Sequence, residues 1–542
     1  LQQRHSASRE PLASATGGPL SLFEHRAFRM LWLVWLGTNA CMWMHEATSG
    51  WVMTTLNPTP LMVALLQTAS TAPMLLLALP AGAMADIVDR RRFLALTQFW
   101  VGAIGILLGA IVWSGELTPG VLLAGGVGIG IAMALRMPPY SALVQEIVTR
   151  EALPRAILLN GIAHNASRAI GPIVAGALIA SAGAHYVFVL NGLLSIVMAI
   201  VLLAWKRERA KASALPSERV VGAMRVGMQY VRESPILRAA ILRATAFFLC
   251  AIAPLALMPL VVRDRLDGGP GTFSAMLACM GLGAIVYALV VGEVRKRLSR
   301  DGVLNASTIV MAVVLVAIGL ARWSSLAGVA MFVYGFAWMA AVAAIQISAQ
   351  LSLPQWVRGR GLAVLQMAFF GGGAFGSAIW GQVANKTGLS IALLAAAASA
   401  LLTLLLALRF KLGTHGEEDL TPLPYWREPS VAMPIEGDRG PVLVTVTYDI
   451  DPATKDEFLA VMKESRQLRL RHGAISWSLF QDAANPNRYI EHFVDESWLE
   501  HQRHRDRTTA YEYDLAMRKR KFHVGKDLPE ISYYLSEEVA RR

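Results

Sequence analysis

Residues 27–410 are apolar almost without interruption, and that tract limits what the chain can fold into. A soluble core does not bury so long a stretch. A bilayer core about 30 Å thick takes up one helix of roughly 20 apolar residues after another. Polar loops divide the tract into candidate spans 27–50, 61–84, 94–114, 119–137, 156–181, 186–204, 239–262, 272–293, 303–321, 325–350, 361–384 and 388–409. Only 16% of the 542 residues are charged, against about 25% in soluble domains. Residues 411–542 are polar in the ordinary way. The expected fold class is an all-α polytopic membrane protein of twelve helices in two six-helix halves, with an α+β soluble domain at its C-terminus.

Net charge is +12 and the isoelectric point about 9.8, values that fit a nucleic-acid binder on their own. Position argues otherwise. Alternate loops carry the basic residues: Arg90, Arg91 and Arg92; Arg150 and Arg155; Lys206 to Arg219; Arg295 to Arg300; Arg358 and Arg360. The remaining loops hold little beyond Arg263, Arg265, Arg322 and Lys386. Cytoplasmic loops retain Lys and Arg, so the basic set and both termini are expected in the cytoplasm, with the bilayer rather than nucleic acid as partner. Cys41, Cys250 and Cys279 fall inside apolar spans and read as packing residues. No cofactor or metal motif is evident.

The expected layout is a polar tail at 1–22 without a cleavable signal, and a first half at 23–205. A cytoplasmic linker follows at 206–237, then a second half at 238–410, a Pro-rich linker at 411–440 and a soluble domain at 441–537. Within 206–237, Val221, Met224, Met228 and Val231 recur at helical spacing, which suits a helix lying along the membrane face or a plain linker. An internal repeat supports the two halves. Arg155, Gly171, Gly176 and Gly183 match Arg360, Gly376, Gly381 and Gly388 at a constant offset of 205 residues. Paired halves place a substrate site at their interface near the bilayer midplane.

The loop after the second span reads Gly82-Ala-Met-Ala-Asp86-Ile-Val-Asp89-Arg90-Arg91-Arg92. It resembles the loop signature of the major facilitator superfamily, departing at Ile87 and Asp89. The resemblance implies a cytoplasmic gating loop of Gly82, Asp86, Arg90 and Arg91; a plain positive-inside anchor is the simpler reading. Gly171-Pro172-Ile-Val-Ala-Gly176 in the fifth span is similar to the Gly-Pro motif of superfamily antiporters, its glycines serving close packing and its proline bending. Gly50-Trp51, Leu56-Asn-Pro-Thr-Pro60, Leu153-Pro-Arg-Ala-Ile-Leu-Leu-Asn160 and Arg358-Gly-Arg360 resemble the transmembrane secretion effector branch, which includes relatives of the enterobactin exporter. The tail segments Gly440–Tyr448, Arg471–Trp477 and Ser497–Arg505 are similar to it as well. The branch implies a proton-driven exporter in a bacterial inner membrane.

A buried charge costs about 2.5–3.5 kcal/mol on insertion scales, so ionisable residues within spans are functional candidates. Arg168 stands near the middle of the fifth span, with His164 and Asn160 at successive intervals of four and Asn165 alongside. The repeat-equivalent positions are Leu365, Phe369 and Gly373, so the stripe belongs to one half. Arg168 either lines the cavity or the interface between halves, or it is a structural pair. Glu46, toward the outer end of the first span, is the candidate proton-binding group; snorkelling is the alternative. Arg136, followed by Met137-Pro138-Pro139, reads as snorkelling at the cytoplasmic end of the fourth span. Gln346 and Gln350 on the tenth span are candidate cavity residues or interhelical hydrogen-bonders. A central cation favours an anionic cargo.

In the tail, Val442–Tyr448, Ile475–Phe480, Arg488–Val494 and Glu530–Tyr534 read as strands, with helices at Pro452–His472 and from Ser497 to about Arg520. The order βαββαβ suggests a ferredoxin-like fold. It resembles the dimeric barrel of antibiotic-biosynthesis monooxygenases, which implies a possible homodimer. His501 and His504 do not form the His-Glu-x-x-His zinc arrangement. They are assigned to the domain's polar surface or subunit interface, and the domain is read as dimerising or sensing rather than enzymatic. The functional expectation is a proton-coupled exporter of a small, anionic metabolite, drug or siderophore. Uptake by the same fold, or a membrane-tethered enzyme or sensor, are the alternatives.

Overall fold

The computed structural model describes residues 19–149, 152–205, 220–354, 356–413, 419–421, 423, 435–525 and 527–537. The expected N-terminal tail and the 411–440 linker therefore lie largely outside the described residues, as do the side chains of 82–87 and 220–224. The chain divides into two compact units.

The first unit is a helical bundle. It holds α1 (Arg26–Leu56), α2 (Pro60–Ile87), α3 (Arg90–Ser114), α4 (Pro119–Ile147), α5 (Leu153–Ser181) and α6 (Ala184–Ala204). After α7 (Val220–Glu233), which belongs to the second unit, come α8 (Pro235–Ala251), α9 (Ala253–Arg265), α10 (Pro270–Arg297), α11 (Arg300–Leu320), α12 (Ser324–Leu351), α13 (Arg358–Thr387), α14 (Leu389–Thr403) and α15 (Leu406–Arg409). Among the described residues, ten segments are long and apolar enough to cross a membrane, with α8–α9 and α14–α15 counted as single segments. Helices α1 and α5 are not among the ten. They are equally long, with 31 and 29 residues, and each carries several buried polar side chains, among them Thr38, Asn39 and His45 on α1 and Asn165, Ser167 and Arg168 on α5.

Side chains start several helices. Thr118 accepts from the Val121 amide ahead of Pro119, and Ser299 accepts from the Gly302 amide. Asp89 accepts from the amides of Arg91 and Arg92, so the residue that departs from the superfamily loop is the cap of α3. The expected seventh span is interrupted at Ile252. Pro254 has no amide to continue the ladder, and the Tyr334 hydroxyl donates to the Ala251 carbonyl at the break, 2.7 Å away.

The repeat reappears as matched packing. A side chain at Gly171 would strike Trp43 and Ala40 on α1, and one at Gly376 would strike Leu249 and Ile252 on α8 and α9's edge. Gly176 abuts Ser274 on α10, and Gly381 abuts Ala64 on α2, so each helix of this pair seats against the other half. Gly183 and Gly388 hold φ of +108° and +90° ahead of the next helix, a region that glycine enters freely. Further contacts join the halves on the side of the bundle away from the basic loops. Arg263 donates to the Thr54 carbonyl, Thr68 donates to the Ala374 carbonyl at 3.0 Å, and Gly281 meets Ala169.

The second unit comprises 217–240, 346–362 and 410–542. Strands β1 (Val442–Asp449), β2 (Ser476–Gln481), β3 (Arg488–Asp495) and β4 (Glu530–Leu535) form an antiparallel sheet in the order β2-β3-β1-β4. Helices α16 (Lys455–Arg471), α17 (Trp498–Asp506) and α18 (Ala510–Lys521) complete it. Val446, Tyr448 and Tyr489 face Phe458 and Met462 of α16 in the core. The opposite face of the sheet leaves Phe480 and Tyr534 more than half exposed. The single helix expected from Ser497 to Arg520 is two helices. The Leu423 amide donates to the Thr508 carbonyl, and the Thr421 and Asp419 carbonyls accept from the amides of Ala510 and Tyr511. A piece of linker thus satisfies the backbone groups at the break.

Helix α7 forms as its spacing predicts, and of its expected apolar face Val231 is buried while Met228 is 42% exposed. Tyr230 is fully buried and Val226 and Val231 nearly so. Val226 packs against Gly473, and Gln229 donates to the Ala474 carbonyl at 2.7 Å. Within the second unit, α7 thus packs on the end of α16 through this side.

Candidate functional site

Helix α5 presents Asn160, His164 and Arg168 along one face, each meeting a different helix. Asn160 accepts from the Tyr140 hydroxyl of α4 at 2.9 Å. His164 Nδ1 lies 3.2 Å from Asn39 Oδ1 of α1. Arg168 reaches both halves: its guanidinium lies 5.0 Å from the Trp43 ring of α1 and 5.6 Å from the Trp338 ring of α12. One terminal nitrogen sits 3.2 Å from the Met280 sulfur of α10, while Nε has no hydrogen-bond partner among the described residues. Two indole faces stabilise a desolvated guanidinium by on the order of 2 kcal/mol each, less than full hydration supplies. The site therefore keeps an unmet demand for an acceptor.

Glu46 is one source of negative charge that acts on Arg168. Helix α1 runs on to Leu56, beyond the expected end at residue 50, so Glu46 sits well inside the helix rather than at its outer end. Gln67 of α2 hydrogen-bonds its carboxylate, and Arg168 lies within electrostatic reach. The central cation and a carboxylate thus share one neighbourhood, which the expectation of a lone central charge did not include.

Arg136 corrects a second expectation. Helix α4 passes through Pro138 and Pro139 to Ile147, which places Arg136 inside the bundle instead of at its margin. It is 5% exposed, donates to Asn39 Oδ1 at 3.1 Å and lies 5.3 Å from the Trp35 ring. Asn39 therefore joins Arg136 to His164. Sequence reasoning missed Asn39, Trp43, Gln67 and Trp338; polar or aromatic residues within apolar spans were the available signal, but their facing partners were not.

Other candidates stand apart from this cluster. Asn165 Nδ2 donates back to the Gly161 carbonyl of its own helix at 2.9 Å. Gln346 and Gln350 occupy the last turns of α12, roughly 12 Å or more along the axis from Trp338. Gly171 and Gly176 act in packing, as described above, and Pro172 is accommodated within an uninterrupted α5. In the gating loop, Gly82 and Asp86 lie in the last turns of α2, their side chains outside the described residues. Arg90 pairs with Glu146 at the end of α4, and Arg91 donates to the Trp205 carbonyl after α6. Both contacts stay within the first half.

The family model described as transmembrane secretion effector matches residues 17–541, the soluble tail included. The chain belongs to that family of major facilitator transporters. It is a multi-pass membrane transporter. It is 24% identical over 348 residues to the uncharacterized MFS-type transporter YfiS of Bacillus subtilis (strain 168), covering 62% of this chain and 82% of the relative. It is 24% identical over 359 residues to the multidrug efflux pump Tap of Mycolicibacterium fortuitum, covering 64% and 86%. Among solved structures, a POT family transporter shares the fold with a TM-score of 0.60 at 14% identity, covering 72% of this chain and 97% of that one.

The soluble unit has its own charged core. Glu491 is fully buried and accepts from Ser465 at 2.7 Å, Trp477 at 2.9 Å, Lys519 at 3.0 Å and Tyr448 at 3.1 Å. Burial alone raises its carboxyl, yet Lys519 and Arg469, with the Trp477 and Ser465 hydrogen bonds, bring it down to about 2. Of the two histidines assigned to the polar surface or a subunit interface, His504 is buried and His501 partly buried. They lie 2.8 and 3.4 Å from opposite oxygens of the buried Asp495.

Proposed function

We propose that the chain is a secondary-active, proton-coupled exporter of a small anionic metabolite, drug or siderophore, working by alternating access with twelve spans in a bacterial inner membrane and both termini cytoplasmic. The observation that carries the reading is Arg168, a buried guanidinium shared between the halves with an unsatisfied in-plane nitrogen. An anion entering between the halves supplies the missing acceptor, and His164, Asn160 and Arg136 extend the polar wall. Glu46 is the proton carrier in this reading. Gly82, Asp86, Arg90 and Arg91 form the cytoplasmic gate. Tap is a multidrug efflux pump and the family is one of secretion effectors, and both favour export.

The soluble domain is read as a ferredoxin-like, non-catalytic dimerisation module. Its strand order supports that fold, its buried core is filled by the Glu491 network, and its open sheet face carries Phe480 and Tyr534.

One observation favours uptake. If Glu46 and Arg168 attract each other, a substrate anion that takes Arg168 frees Glu46 to bind a proton. Substrate and proton then bind cooperatively and travel together. Vesicles of both orientations decide. Export predicts that everted vesicles accumulate candidate anions and that a protonophore collapses the accumulation. Accumulation confined to right-side-out vesicles establishes uptake, and gradient-independent behaviour in both overturns coupled transport.

A further inference from the structure

Three segments that are distant in sequence meet in the second unit around one stack of rings. Trp356, in the short connection from α12 to α13, lies 5.5 Å from the His472 ring at the end of α16. His472 stacks on His504 of α17 at 5.2 Å and 19°. Arg507 covers the other parts of the Trp356 ring at 4.3 Å, and Tyr230 of α7 meets Trp356 edge-on at 5.9 Å. Tyr230 donates to the Ser352 carbonyl at 2.8 Å and lies under the Arg471 guanidinium at 5.5 Å. Behind the stack, His472 Nε2 is 3.0 Å from a carboxylate oxygen of Glu512, both side chains being almost wholly buried.

The stack is not fully satisfied. Trp356 Nε1 and His472 Nδ1 are buried without hydrogen-bond partners among the described residues. A contact that leaves two polar atoms unmet is poised to release.

We propose that this stack is a proton-operated clasp: a neutral Glu512 keeps the soluble domain closed on Trp356 and α7, and an ionised Glu512 loosens it. The groups that face the pair are known on every side. Arg469 and Arg471 approach Glu512 from α16, Thr509 hydrogen-bonds it from the start of α18, and Lys519 acts on it from the same helix. His504, Arg471, Arg507 and Arg469 surround His472. Burial first, and then the neighbouring His504 and the three arginines, hold His472 neutral, well below its ordinary range. Burial raises the Glu512 carboxyl to about 7, against an ordinary 4.5, and the two arginines only partly oppose it. An ionised Glu512 draws in water, and the clasp admits it by lifting Trp356 from His472, the ring that stands between Trp356 and Glu512.

The sign follows from linkage. The closed form holds its proton to about pH 7 and the open form only to about 4.5, so closing takes up a proton between those values. Closure is strongest below that window and weakens as pH rises through it. Acidification of the cytoplasmic side therefore tightens the domain's hold on the segments that lead into α8 and α13.

Hydrogen–deuterium exchange of the full chain in nanodiscs tests this without a substrate. After correction for intrinsic rates, peptides from 348–362 and α7 should be on the order of tenfold more protected at pH 5.5 than at pH 7.5, with strand peptides unchanged. Glu512→Gln should keep them protected at both values. An unchanged pH step in Glu512→Gln, or no step in the native chain, overturns the clasp. If strand peptides reveal that Glu512→Gln unfolds the domain, Trp356→Ala decides: it should remove the step, and a persisting step refutes the proposal.

Discussion

A guanidinium deep in a membrane bundle is retained only where something answers it. At Arg168 the answer is divided among two indoles, a thioether and a more distant carboxylate, none of them a full partner. Arg168→Ala should abolish transport while membrane insertion, read by protease protection and monodisperse elution, stays intact. Arg168→Lys should keep less than about a tenth of the rate, because an ammonium presents no planar fork to an anion. Full activity in either variant removes Arg168 from the cavity. Glu491 makes a separate prediction in the soluble unit. Replacing it by Leu strands Lys519 in the core and should destabilise the domain by about 3–5 kcal/mol, measurable by chemical denaturation followed at Trp477. Its depressed carboxyl stabilises the fold above about pH 4.5, and that contribution is lost as pH falls toward 2. The stripe of Asn160, His164 and Arg168 was legible because a period of four is a local property. Arg136 was misread because two prolines suggested an end that α4 does not have, and depth in a bundle is set by helix length rather than by neighbours.

At the scale of elements, the decisive contacts are those where side chains are missing. Gly176 leaves room for Ser274, and this close approach holds α5 against α10. Gly176→Leu should separate them at a cost of about 1–3 kcal/mol, seen as a lower Tm in detergent. Gly176→Ala combined with Ser274→Gly should recover most of the native Tm; no recovery would mean that α5 and α10 are held elsewhere. Ten of the spans were readable from hydropathy among the described residues, and the repeat from four matched residues. Two breaks were not. Pro254 interrupts α8–α9 within a continuous apolar run, and the α17–α18 break depends on backbone groups of 419–423, some ninety residues earlier in the chain. Periodicity carries no information about a partner that arrives from so far away.

At the scale of the whole molecule, the family match includes the tail, so the soluble domain is part of what this branch is. Deleting 430–542 should leave at least partial transport in vesicles if the domain regulates rather than conducts. The same deletion should shift the elution of the purified protein from dimer to monomer if the open sheet face is the dimer contact. An inactive but correctly inserted truncation would assign the domain an essential role. The sequence suggested a helix between the halves, and α7 is there. An amphipathic face fits a membrane surface and a protein surface equally well, and in the second unit Val226, Tyr230 and Val231 are buried in protein while Met228 stays exposed.

Trp43 and Trp338 stand on opposite halves against the same guanidinium. If the halves separate as the proposed alternating access requires, Arg168 can stay beside only one of the two rings. The other indole then loses a neighbouring positive charge, and its emission changes in colour and intensity. Comparing Trp43→Phe with Trp338→Phe would assign that signal to one ring, so the native protein carries its own optical record of which half has moved.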